Sequence, residues 1–81
     1  MKALVQVTLK RDVLDPQGKA IAHACGQLGY TAIDSVRQGK LFEIALSAKS
    51  EAEARRLLEE LAGKLLANPV IEDYSILKIE P

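Results

Sequence analysis

Between Ser50 and Asn68, Ala54, Leu57, Leu58, Leu61, Ala62, Leu65 and Leu66 recur at a regular spacing. That i, i+3, i+4, i+7 spacing gathers them on one stripe of an α-helix, and on no face of a strand. A helix of this length gains most of its stability by covering such a stripe, so the rest of the chain must supply an apolar layer. The ends are marked as clearly. Ser50 and Glu53 form a capping box, in which hydroxyl and carboxylate each accept from an N–H left free at the first turn. Asn68-Pro69 stops the helix. Glu51–Arg55, Arg56–Glu60 and Glu60–Lys64 are outward i, i+4 pairs, each worth about 0.2–0.5 kcal/mol.

Strand-like runs supply the layer. From Ala3 to Leu9 the odd positions Ala3, Val5, Val7 and Leu9 are all apolar and alternate with Leu4, Gln6 and Thr8. Asp15-Pro16 then opens a helix, with aspartate as cap and proline at a position whose N–H is not needed. Its stripe is Ala20, Ile21, Ala24, Cys25 and Leu28. It ends at Gly29, where a left-handed C′ residue is expected, with Tyr30 packing back on Cys25. Thr31 to Val36 reads as a short strand and Gln38-Gly39 as a turn flanked by Arg37 and Lys40. Leu41 to Ser47 reads as its hairpin partner, with Phe42, Ile44 and Leu46 on one face. After Val70 to Asp73, the last strand runs from Tyr74 to Ile79.

The expected order is β-α-β-β-α-β, a single α+β domain over residues 1–81. It is a two-layer ferredoxin-like sandwich, with two helices on one face of a mainly antiparallel sheet. At 81 residues it buries only about 60–65% of the surface its unfolded form exposes. The strands are apolar on both faces: Leu4 opposes Val5, Leu41 and Ala45 oppose Phe42 and Ile44, and Ile76 opposes Leu77. An antiparallel sheet with one wet face should alternate cleanly. The face carrying Leu4, Leu41, Ala45 and Ile76 is therefore expected to meet a second copy, in a homodimer or tetramer.

Eleven basic residues balance eleven acidic ones, which gives no field to draw the chain to nucleic acid or an anionic membrane. The aromatic residues are Tyr30, Phe42 and Tyr74, too few for the stacking platforms of RNA-binding sheets of this topology. Met1-Lys2 leads into an apolar run broken by Gln6 and Thr8, so no signal peptide is read and a cytoplasmic location is expected. The single Cys25 excludes an internal disulfide. Cys25 and the only histidine, His23, are two apart on a helix and do not face each other. One of each builds no zinc site alone. No Gly-rich phosphate loop is present, and Asp15 as a cap would repel an anion. No catalytic, cofactor-binding or metal-ligating residue is expected.

Three strings carry a resemblance. They are Val7-Thr8-Leu9-Lys10 followed by Val13-Leu14-Asp15-Pro16-Gln17-Gly18-Lys19-Ala20, then Val36-Arg37-Gln38-Gly39-Lys40, and Leu65-Leu66-Ala67-Asn68-Pro69-Val70-Ile71-Glu72-Asp73-Tyr74. In their order and spacing the chain resembles the PurS family over essentially its whole length. The resemblance implies a small, non-catalytic assembly subunit of phosphoribosylformylglycinamidine synthase, a glutamine-dependent, ATP-using ligase of purine biosynthesis. Its partners would be the PurL synthetase, which uses ATP and magnesium, the PurQ glutaminase, and a second copy of itself. Its service would be assembly and a protected ammonia path.

A turn needs Gly39 but not the cations beside it. Arg37, Gly39 and Lys40, with the loop from Lys10 to Asp15, are therefore the expected partner interface. An ACT-like regulatory module shares the topology but leaves the three strings unexplained. An acylphosphatase-like enzyme needs an Asn beside an Arg on a phosphate-cradling loop, and the single Asn68 is a helix stop.

Overall fold

The computed structural model describes residues 1–81. Its elements are β1 (Lys2–Leu9), α1 (Pro16–Gln27), β2 (Gly39–Ala45), α2 (Glu51–Leu61, continued as a π-helical turn Ala62–Leu66) and β3 (Glu72–Glu80). The sheet has three antiparallel strands in the order β2-β1-β3. This is an α+β arrangement of a mainly antiparallel sheet and two helices, in the ferredoxin-like class.

The expected strand at Thr31 to Val36 does not form, and so neither does the hairpin. The polar groups that end this segment are taken up elsewhere. The Gln38 N–H donates to Asp15 and the Arg37 guanidinium to carbonyls before α1. Gly39 enters β2 opposite Thr8 of β1.

The core lies between α2 and one face of the sheet. Ala3, Val5, Leu58 and Ala62 form its buried cluster, with Phe42, Ile44, Leu46, Leu66, Tyr74, Ile76 and Ile79 packed around it. Ser50 caps α2, its hydroxyl accepting from the Glu53 N–H at 3.1 Å, but the Glu53 carboxylate makes no return bond, so only half of the expected capping box forms. The stripe changes at the π turn. There the Ala67 N–H bonds the Ala62 carbonyl, five residues back, which widens the turn. Ala67 thereby takes the buried line after Ala62, while Leu65 is exposed. The Tyr74 hydroxyl donates to Glu59 at 2.7 Å and ties β3 to α2.

α1 contributes only Gly18 to the buried residues. Its end is a Schellman motif: Gly29 has φ +91°, the Tyr30 N–H bonds the Cys25 carbonyl, and the Gly29 N–H bonds that of Gly26. The Tyr30 ring is nonetheless exposed. The chain has an elongated outline of 50 × 26 × 14 Å. No helix is long and apolar enough to cross a membrane.

Candidate docking site

The antiparallel register brings the end of β1 and the starts of β2 and β3 to one edge of the molecule. Thr8 pairs with Gly39, Leu9 with Glu72, and the Lys10 N–H bonds the Ile71 carbonyl at 2.8 Å. The five expected interface residues, Lys10, Asp15, Arg37, Gly39 and Lys40, therefore meet at this loop end although the sequence separates them.

Asp15 is the hub. It is the N-cap of α1 and only 4% exposed. One carboxylate oxygen accepts from the Gly18 N–H at 2.9 Å, and the other from the Gln38 N–H at 2.7 Å. The Gly18 bond, then the Gln38 bond, hold its carboxyl below the ordinary value; burial opposes them, and Arg37 and the Gln17 N–H add to them. A lowered folded-state value means the stabilisation is complete above the unfolded carboxylate range and is lost as pH falls through the lowered value. An NMR titration of the side-chain carboxyl should give a midpoint under 3.8, and Asp15→Asn should flatten the fall of stability in that acid range. A midpoint at or above 3.8 would contradict this geometry.

Arg37 is not a free cation. Its Nη1 donates to the Val13 carbonyl at 3.0 Å, and its Nη2 to that of Lys10 at 2.9 Å and, weakly, to that of Leu9 at 3.5 Å. A planar fork of donors suits a loop of converging carbonyls, which a lysine could not match. Gly39 is there for room: a Cβ would meet Thr8 Cγ2 at 2.8 Å and the Val7 carbonyl oxygen at 2.9 Å. Lys40 and Lys10 remain outward, with loose ion pairs to Glu72 at 3.7 Å and Asp73 at 3.9 Å. The Lys10 pair is exposed on both sides and contributes little stability; in the Lys40 pair the Glu72 side chain is only 13% exposed, while the Lys40 side chain itself is 65% exposed and open to a partner. Asp15, Gly39 and Lys40 line a shallow cleft of about 160 Å³ together with Val7, Leu9 and Glu72, and neither Lys10 nor Arg37 lines it.

The expected self-association face needs one correction. Leu4 is half-buried, Leu41 is 62% exposed, and Ala45 is exposed. Ile76, however, packs against the core cluster under α2. A bulge is responsible: Leu4 pairs with Lys78 and Val5 with Ile76, which leaves Leu77 over. The extra residue lets Ile76 and Ile79 both serve the core, and Leu77 is the 53% exposed apolar residue instead.

His23 is exposed on α1 and Cys25 half-buried. No group of three His, Cys, Asp or Glu side chains is placed to hold a metal ion. Sequence reasoning found Asp15 as a cap but missed its second bond and the internal use of Arg37. Contacts reaching 23 to 28 residues along the chain leave no local signal.

Comparison with known proteins gives the same result at each level. The PurS family model, described as phosphoribosylformylglycinamidine (FGAM) synthase, matches residues 2–80. The phosphoribosylformylglycinamidine synthase subunit PurS of Mycobacterium leprae is 48% identical over 75 residues, 93% of this chain and 91% of that one. Its Bacillus subtilis counterpart is 47% identical over 73 residues, 90% and 86% of the two chains. The crystal structure of Methanocaldococcus jannaschii PurS superposes with a TM-score of 0.86 at 41% identity, covering 98% of each chain. With matches of this extent in sequence and in fold, the chain belongs to the PurS family of phosphoribosylformylglycinamidine synthase subunits.

Proposed function

We propose that the chain is the assembly subunit that bridges the glutaminase and synthetase of this ligase and supports ammonia transfer from glutamine to formylglycinamide ribonucleotide. The observation that carries the reading is family membership over nearly the whole chain. The Methanocaldococcus jannaschii relative is described as one of the subunits of formylglycinamide ribonucleotide amidotransferase in the purine biosynthetic pathway. The geometry agrees with a scaffold: Asp15 and Arg37 spend their polar groups on backbone within the chain. On this reading ATP and magnesium belong to the synthetase, the isolated chain has no turnover, and the complex works in the cytoplasm. The docking surface is the loop end, where Lys10 and Lys40 face outward and Asp15, Arg37 and Gly39 fix the loops that present them.

The test is synthetase turnover in a mixture of the large and glutaminase subunits, with and without this chain. Glutamine-dependent turnover should need the chain, and ammonia-dependent turnover should survive its omission. Lys40→Glu, whose contact here is the single ion pair to Glu72, should reduce the first and spare the second. Glutamine-dependent turnover that is equal without the chain would overturn the reading.

The same proposal includes self-association. Leu41 and Leu77 are exposed apolar residues of the sheet, with half-buried Leu4 flanked by Glu43 and Lys78 on the outer face, and the α1 stripe with Ile21 43% and Leu28 75% exposed is a second unpartnered surface. Two such surfaces on one small chain can cover each other across a two-fold axis, because an isologous contact places each twice. Light scattering at micromolar concentration should give at least twice 8.8 kDa. A mass of 8.8 kDa would remove this part of the proposal.

A further inference from the structure

We infer that Glu72 is a positioning residue of the docking surface, doing beside α2 what Asp15 does beside α1; this rests on the loop-end docking proposed above. Glu72 opens β3 and pairs with Leu9 of β1. It therefore shares a sheet face with Tyr74 and Ile76, which pack against the core under α2. Its side chain is only 13% exposed there, and a carboxylate so far out of water needs partners. The two oxygens divide them. Oε1 accepts from the Asn68 N–H at 2.7 Å, and Oε2 faces the Lys40 ammonium at 3.7 Å.

The bond to Asn68 closes a ring. The Glu72 N–H donates back to the Asn68 carbonyl at 2.7 Å, so the two residues exchange a pair of bonds across the turn from α2 to β3. Inside that ring the Ile71 N–H also reaches the Asn68 carbonyl, at 3.1 Å, and the Val70 N–H the Asn68 side-chain oxygen, at 3.0 Å. Pro69 has no N–H to place. The turn thus satisfies each of its own donors, and the Glu72 carboxylate is the one side chain that returns from β3 to do so. The Ile71 carbonyl then takes the Lys10 N–H at 2.8 Å, so the same turn sets the backbone that carries Lys10. Glu72 stands at the root of both outward cations, and with Asp15 it lines the cleft that Lys40 borders. These bonds lie within one protomer, on the α2 side of the sheet. A second copy covering α1 or the outer sheet face leaves them in place.

Two variants test this on the full chain in its own solution assembly. Glu72→Ala removes both contacts. Glu72→Gln keeps an oxygen for the Asn68 N–H but forms no ion pair with Lys40. Amide hydrogen exchange by NMR should be about ten- to hundredfold faster at Asn68 in the alanine variant, the effect of losing a charge-assisted bond, while Val5 and Leu58 keep their rates. In the mixture with the synthetase and glutaminase subunits, Glu72→Ala should raise the amount of chain that gives half-maximal glutamine-dependent turnover about tenfold, because the loops must then be ordered on docking. Ammonia-dependent turnover should not change. Glu72→Gln should restore both readouts to within about threefold of the unmodified chain, which a role carried by charge alone would not allow. If Glu72→Ala does not fold, Glu72→Asp, one methylene short of Asn68, makes the same comparison. A glutamine variant as impaired as the alanine one would overturn the inference, and so would unchanged exchange at Asn68. Faster exchange at Asn68 with unchanged assembly would also overturn it, and Lys40→Glu then separates the two cases. If that variant still weakens assembly, the docking surface stands and Glu72 does not position it; if it does not, the loop end is not the docking surface.

Discussion

Leu58→Ala is expected to lower stability by about 3 kcal/mol, through lost burial and the cavity left behind. A domain of 81 residues has only about 4–12 kcal/mol in all. Leu58 has no exposed surface and stands in the cluster with Ala3, Val5 and Ala62. The two alanines are already small, so nothing beside it can move in cheaply. The neighbouring Leu57→Ala is the comparison. Leu57 is 46% exposed, and its truncation should cost less than about 1 kcal/mol. Urea unfolding at fixed protein concentration should show a lower midpoint with an unchanged slope for Leu58→Ala. Equal midpoints for the two variants would mean that α2 does not turn this face to the sheet.

That pair of leucines also marks how far local pattern reaches. The stripe on α2 and its Ser50 cap are read directly, because periodicity and capping act within one or two turns. Which members of the stripe are buried depends on the sheet beneath. The placing of Leu65 outside and Ala67 inside depends on the π turn, which no spacing announces. The bulge at Leu4/Val5 is similar. Alternation places Ile76 and Leu77 on opposite faces correctly, but does not say which face looks at α2, and the extra residue decides it. The Thr31 to Val36 segment shows the opposite failure. Its β-branched residues fit a strand, but the groups at its end are committed to α1 and to the loop before it, contacts far off in sequence. The loop-end site is legible as a gathering of turn residues. Its division of labour is not, because a guanidinium on carbonyls and one on a partner look alike in sequence.

Gly18→Ala separates local preference from tertiary contact in a single atom pair. Alanine inside a helix is favoured over glycine by about 1 kcal/mol, so propensity alone predicts stabilisation. Yet a methyl at this position would overlap the Val36 carbonyl oxygen and crowd the Asp15 carboxylate, 2.8 Å from its nearer oxygen. Neither neighbour is free to retreat. The carbonyl is backbone, and the carboxylate already accepts from Gly18 and Gln38. The expected result is a net loss of about 1–3 kcal/mol, the range for overpacking a close contact. In the same helix Gly26→Ala meets nothing within 4 Å, and it should raise stability by about 0.4–1 kcal/mol. Thermal melts of the two variants at one concentration should therefore move in opposite directions. A stabilised Gly18→Ala chain would mean that α1 does not touch the returning segment. Asp15 would then be only a helix cap, and the interface residues at the loop end would not be held by a common joint.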